Sequence, residues 1–214
     1  MQVKRVIMGG VVSFGVVILP AVGNMDVLRS PHLWIVFLLG VLASLLQPAY
    51  NPFTITTKSG DRATGAQILW TVYLCQLAAV IEAVYLRYPD SVRWTVASVC
   101  ALAVAVLGLG LRTWSVYTLG KHFTMHLELQ ENHAMITRGP FALVRHPSYL
   151  GAFLMVTGSV AFLGAWYAAL ITVPALLFAF IRRMHYEEKM LGEHFGDAYV
   201  EYRRRVKAFL PWVW

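Results

Sequence analysis

Charge is scarce in this sequence. Of 214 residues, 14% are Asp, Glu, Lys or Arg and 58% are hydrophobic, with a mean hydropathy of +0.59. Soluble domains carry roughly 25% charge, so this chain lacks the polar side chains that would cover a 24.0 kDa water-soluble surface. Intrinsic disorder needs the opposite composition and is excluded too. Cysteine is nearly absent. Cys75 and Cys100 both sit inside apolar stretches, which excludes a disulfide scaffold and reads as two small buried residues. Several motifs are also missing. There is no GxxxxGK[ST] and no HExxH, and the only closely spaced glycines that invite a dinucleotide reading, Gly108 and Gly110, lie in an apolar run. A soluble nucleotide-binding domain has nowhere to fit, and no repeat or low-complexity tract is present.

What is abundant is apolar length. Six segments approach the span needed to cross about 30 Å of hydrocarbon: about Val6 to Val22, Leu33 to Leu46, Gln67 to Leu86, Trp94 to Leu111, Tyr149 to Leu163 and Trp166 to Ile181. The expected fold is therefore an all-α polytopic membrane protein of about five to six transmembrane helices. Its last two helices form a tight hairpin around Gly164-Ala165. The expected layout is one membrane domain over 1–214, with N-terminal helices in 1–112 and a cofactor-binding half in 113–214.

The basic residues point to an orientation. If the six segments alternate from a cytoplasmic N-terminus, the far side holds Arg29, Arg87 and Arg93, against 15 Lys and Arg on the cytoplasmic side. That bias follows the positive-inside rule, so the net charge of +7 does not require a nucleic-acid partner. Lys4-Arg5, the first apolar run and Ala21-Val22-Gly23 also fit a cleaved signal peptide, which would leave five segments.

The informative polar stretch is Gln130 to Gly151, QENHAMITRGPFALVRHPSYLG. Gly139-Pro140 and His146-Pro147 interrupt helix, because proline disfavours helical backbone in the residue before it. Irregular backbone is expected up to Pro147, which then opens segment five in the first helical turn. Such backbone beside a membrane either lines a cavity and binds a polar ligand, or is an ordinary interfacial loop.

Further on, Arg183 and Glu187 are four apart and share a helical face, with Glu188 about 100° round. They form either a surface ion pair or a binding pair, in which Arg183 orients an anion and Glu187 takes a cationic or hydroxyl-bearing group. His122 and His126 share a face but lack a completing ligand, so no metal site is expected. Glu82 is an intramembrane acid and a functional candidate, unless it reaches water at the outer end of its segment. The tail, with Phe195, Tyr199, Tyr202 and Val206 beside Arg203, Arg204, Arg205 and Lys207, reads as a basic amphipathic interfacial helix.

Together these residues resemble the isoprenylcysteine carboxyl methyltransferase family. The resemblance rests on Gln130, His133-Ala134-Met135-Ile136, Gly139-Pro140 and Arg145-His146-Pro147-Ser148-Tyr149-x-Gly151, then Arg183, Glu187-Glu188 and Phe195-Gly196-x-x-Tyr199-x-x-Tyr202. It covers about Leu119 to Pro211; the N-terminal segments show no comparable pattern. The resemblance implies a membrane methyltransferase that uses S-adenosylmethionine. It implies a cytoplasmic cofactor pocket lined by Gln130, His133, Ala134, Met135, Ile136, Phe141, His146, Pro147, Ser148, Tyr149 and Glu187, with Arg183 on the substrate side. Phe141 stands where the family usually has Tyr. Arg183 and Glu187 are the expected catalytic pair. The implied acceptor is lipophilic, with a prenylcysteine carboxylate as the type substrate. The expected location is a plasma membrane in a prokaryote or the endoplasmic reticulum in a eukaryote. Two other readings stand beside it: an NADPH-dependent sterol reductase-like enzyme, which has a similar HPxYxG element and aromatic C-terminus, and a non-enzymatic membrane scaffold.

Overall fold

The computed structural model describes residues 2–46, 63–120 and 135–210, with side chains from Ile7 onward. All six apolar segments are helices. α1 (Gln2–Ser13) continues through a π-helical turn at Phe14–Ile18 and a 3-10 turn at Leu19–Ala21. A short α2 (Met25–Arg29), capped by the Asn24 side chain, leads into α3 (Pro31–Leu46). α4 (Thr64–Ile81) runs on through a π-helical turn at Glu82–Leu86. α5 (Val96–Leu119) starts at a capping box: the Thr95 hydroxyl accepts from the Ser98 amide and the Ser98 hydroxyl accepts from the Thr95 amide. α6 (Pro147–Phe162), α7 (Trp166–Phe195) and α8 (Asp197–Arg205) complete the order. There is no β-strand among the described residues.

α4 with its extension, α5 and α7 are long and apolar enough to cross a membrane by length and composition; α1, α3 and α6 are apolar but shorter. Leu107, Leu170, Ile171 and Phe178 all stand exposed on the outside of the bundle, a surface that hydrocarbon tolerates and water does not.

α7 continues past its apolar stretch, as the shared helical face of Arg183 and Glu187 requires, and runs 30 residues to Phe195, about 45 Å. Nothing between Arg182 and Phe195 breaks a helix, and Gly196 ends it with φ +55°. The expected amphipathic C-terminal helix is α8, nine residues with Arg203, Arg204 and Arg205 in its last turn; it stops short of Val206, from which the chain is extended, with Val144 and Lys207 forming a parallel bridge. Tyr199 and Tyr202 are buried against the protein; Trp212 and Trp214 lie outside the described residues.

α5 and α6 pack backbone to backbone. A Cβ on Gly151 would lie 2.6 Å from the Arg112 amide nitrogen and 2.7 Å from the Gly108 carbonyl; one on Gly158 would lie 2.6 Å from the Ala105 nitrogen. Small residues at such crossings let membrane helices pack without a hydrophobic driving force. Gly108, read above as no part of a nucleotide motif, has this packing role.

Glu82 is neither a free intramembrane acid nor in contact with water. It is buried, and its Oε1 and Oε2 accept hydrogen bonds from the backbone amides of Tyr167 (3.1 Å) and Ala168 (2.6 Å). The carboxylate thus caps the start of α7, where unpaired N–H groups and the positive end of the helix dipole favour an anion.

Candidate active site

Toward the opposite end of α7, side chains from five helices, α4 to α8, and the C-terminal segment converge. The irregular stretch before α6 is built as expected. Met135 and Ile136 are half-buried in non-helical chain, one 3-10 turn covers Gly139–Ala142, and Pro147 opens α6 with His146 as its N-cap residue. Gln130, His133 and Ala134, and the pair His122 and His126, lie outside the described residues.

Arg183 and Glu187 are brought together, but through a third residue. The Tyr149 hydroxyl donates to Glu187 Oε2 at 2.5 Å and accepts from Arg183 Nε at 3.2 Å. Arg183 is almost fully buried, and its other arm donates to the Thr64 hydroxyl at 2.9 Å. Next to it, Arg182 donates to the Gln67 side chain. The first turn of α4 therefore orients both arginines. Glu187 keeps more freedom: its side chain is 27% exposed, and Oε1 receives no hydrogen bond among the described residues.

Glu188 has a different role from its neighbour. Its Oε1 accepts from Arg145 Nε (2.8 Å), Arg145 Nη2 (2.6 Å) and His146 Nε2 (3.1 Å), while Arg203 lies 3.5 Å from Oε2. Arg145 also donates to the Val206 carbonyl, and the amides of Arg145 and His146 donate to the carbonyls of Lys207 (2.7 Å) and Ala208 (2.9 Å). This knot ties α7, the turn before α6 and the C-terminal segment together. Glu188 lies past the apolar stretch of α7. Burial alone pushes its carboxyl upward, but the hydrogen bonds and charge of His146 and Arg145 outweigh this and hold it at about 2.

An aromatic stack forms one wall. His146 stacks on Tyr149 (centroids 5.6 Å apart), Tyr149 on Phe180 (5.5 Å), and Phe209 of the C-terminal segment meets Phe180 and Phe153. Phe141 is buried, and its carbonyl accepts from the Tyr202 hydroxyl at 2.6 Å. Ser148 does not face the cluster freely: its hydroxyl and carbonyl both accept from Arg112 at 3.1 Å.

Sequence reasoning missed Thr64, Arg112 and the pairing of Arg145 with Glu188. Arg145 stood inside a motif already singled out and was the available signal. Thr64 and Arg112 carry none, since their partners are fixed only by helix packing.

Residues 99–193 match the model of the isoprenylcysteine carboxyl methyltransferase family, in the part of the chain that holds most of the motifs. The chain is 33% identical over 114 residues to protein-S-isoprenylcysteine O-methyltransferase B of Arabidopsis thaliana, covering 52% of this chain and 58% of that one. It is 32% identical over 133 residues to the protein-S-isoprenylcysteine O-methyltransferase of Schizosaccharomyces pombe, covering 60% and 56%. The matches thus span a little over half the length of these relatives. A solved eukaryotic intramembrane Ras methyltransferase, isoprenylcysteine carboxyl methyltransferase, superposes with a TM-score of 0.66 over 92% of this chain and 73% of that one, at 23% identity. That likeness shows the membrane fold.

Proposed function

We propose that this chain, carrying the isoprenylcysteine carboxyl methyltransferase segment over residues 99–193, is an integral membrane enzyme. It transfers a methyl group from S-adenosylmethionine to a lipophilic acceptor, in the first instance a prenylcysteine-like carboxylate. The observation that carries this reading is the Glu187–Tyr149–Arg183 constellation at the end of a membrane helix.

The residues fit the methyl donor. Glu187 presents a carboxylate with one oxygen uncommitted, which suits an ammonium or ribose hydroxyls. The irregular backbone from Met135 to His146 supplies peptide groups outside helical bonding; Gln130, His133 and Ala134 would extend that lining. S-adenosylmethionine, when bound, supplies an electrophilic methyl group on sulfur. A carboxylate acceptor is already ionised at neutral pH, so no general base is required of the protein. What the protein contributes is orientation and dryness. Arg183, its plane set by Tyr149 and Thr64, presents a guanidinium suited to a carboxylate. The aromatic wall of Tyr149, Phe180 and Phe209 keeps water from the nucleophile. An apolar acceptor would enter laterally from the bilayer. The Lys and Arg bias of 15 to 3 supports a cytoplasmic site and cytoplasmic termini.

The test is calorimetric titration of S-adenosylhomocysteine and of NADPH into detergent-purified protein, with Glu187→Ala in parallel. Micromolar S-adenosylhomocysteine binding, lost in Glu187→Ala, is expected. NADPH binding without S-adenosylhomocysteine binding would replace this reading with a reductase.

A further inference from the structure

Two tyrosines of α8, three residues apart, have opposite circumstances. Tyr202 is buried, and its hydroxyl donates to the Phe141 carbonyl at 2.6 Å. Tyr199 is more deeply buried, with 2% of its surface exposed, yet its hydroxyl has no hydrogen-bond partner among the described residues. An orphaned hydroxyl in the interior costs free energy that a hydrogen bond would recover, and native proteins leave few such groups unpaired. Tyr202 does the structural work on this face of α8, pinning the Gly139–Ala142 turn. The Tyr199 ring packs beside Tyr202, but its hydroxyl ties no other described element.

Its surroundings show what its hydroxyl suits. Glu187, Glu188, Arg145 and Arg203 all lie close enough to act on Tyr199 electrostatically, so the hydroxyl sits in the field of the candidate site. Both signs of charge surround it, as a zwitterionic or polyhydroxylated ligand requires. Glu188 and Arg145 are already engaged with each other. Burial pushes the phenol well above its ordinary range, so it stays a neutral O–H donor throughout the working pH range.

We infer that Tyr199 is a cofactor-binding residue whose hydroxyl makes its hydrogen bond to a polar group of the bound methyl donor instead of to the protein. This rests on the S-adenosylmethionine reading above.

Tyr199→Phe and Tyr202→Phe separate this role from a structural one. The readouts are the melting temperature of ligand-free protein in detergent and the dissociation constant for S-adenosylhomocysteine. Tyr199→Phe removes a hydroxyl with no protein partner, so its ligand-free melting temperature should equal or exceed wild type, while S-adenosylhomocysteine binds roughly tenfold more weakly. Tyr202→Phe strands the Phe141 carbonyl and should lower the ligand-free melting temperature. If Tyr199→Phe melts lower than wild type without ligand, or binds S-adenosylhomocysteine as tightly, the inference is wrong. If wild type binds no S-adenosylhomocysteine, the methyltransferase reading falls, and this inference with it.

Discussion

α7 has a buried or half-buried carboxylate at each end, and the two behave differently. At its start, Glu82 reaches across from the end of α4 and gives both oxygens to backbone amides of Tyr167 and Ala168. Toward its end, Glu187 gives one oxygen to Tyr149 and, among the described residues, keeps the other. Glu82 is the more buried and, by burial alone, would be the stronger functional candidate. Its hydrogen bonds decide otherwise. A carboxylate whose acceptors are filled by the protein is a structural cap, and one with an oxygen left over can receive a ligand. Burial marks where a charge needs a partner; the partner list shows whether function is still open to it.

The sharpest way to break this comparison is to exchange the consequences. Glu187→Ala should weaken S-adenosylhomocysteine binding by more than a hundredfold and leave the ligand-free melting temperature close to wild type. Glu82→Ala should do the reverse. Equal loss of binding in both variants would show that the distinction between cap and site is false.

Arg183→Lys should come next in size. An ammonium cannot span the Tyr149 and Thr64 hydroxyls as a guanidinium does. Turnover of N-acetyl farnesylcysteine should drop about a hundredfold while S-adenosylhomocysteine still binds, a split measurable by pairing kinetics with calorimetry. Unchanged turnover would remove Arg183 from the substrate side.

The stability cost of Glu82→Ala is smaller. Two hydrogen bonds to a charged group are lost, worth about 2 kcal/mol. That amounts to roughly 5 °C in melting temperature for a chain of this size, measurable by thermal unfolding in detergent.

The smallest effect concerns Glu188. Its carboxyl is held at about 2 against an ordinary 4.5, so its stabilising contribution is complete above pH 4.5 and fades as the pH falls toward 2. Glu188→Gln should therefore show a shallower loss of melting temperature on acidification across that window. A slope identical to wild type would mean that the Arg145–Glu188 knot does not hold the fold.

Some of this was legible residue by residue. The start of α6 at Pro147 follows from proline's own geometry and was read correctly. The six apolar helices follow from hydropathy, and the Arg183–Glu187 face from a spacing of four. The helix of the tail follows from its periodic pattern, but its bounds do not: Gly196 separates it from α7, and Val206 leaves it to pair with a segment some sixty residues away. Sequence alone does not decide between the two readings of Glu82, because its partners, Tyr167 and Ala168, lie more than eighty residues on.

Composition and local pattern by themselves determined that this is a helical membrane chain, where its helices run, and which motifs resemble those of the isoprenylcysteine carboxyl methyltransferases. These are properties of neighbouring residues and of the solvent they prefer. Only the tertiary structure decided which polar groups are already satisfied. Thr64 meets Arg183 across 119 residues, Glu188 is occupied by Arg145 while Glu187 keeps an oxygen, and Tyr202 is paired while Tyr199 is not. The physical reason is that a hydrogen bond is settled within a few tenths of an ångström by whichever helix packs alongside, and no local pattern in the chain carries that distance.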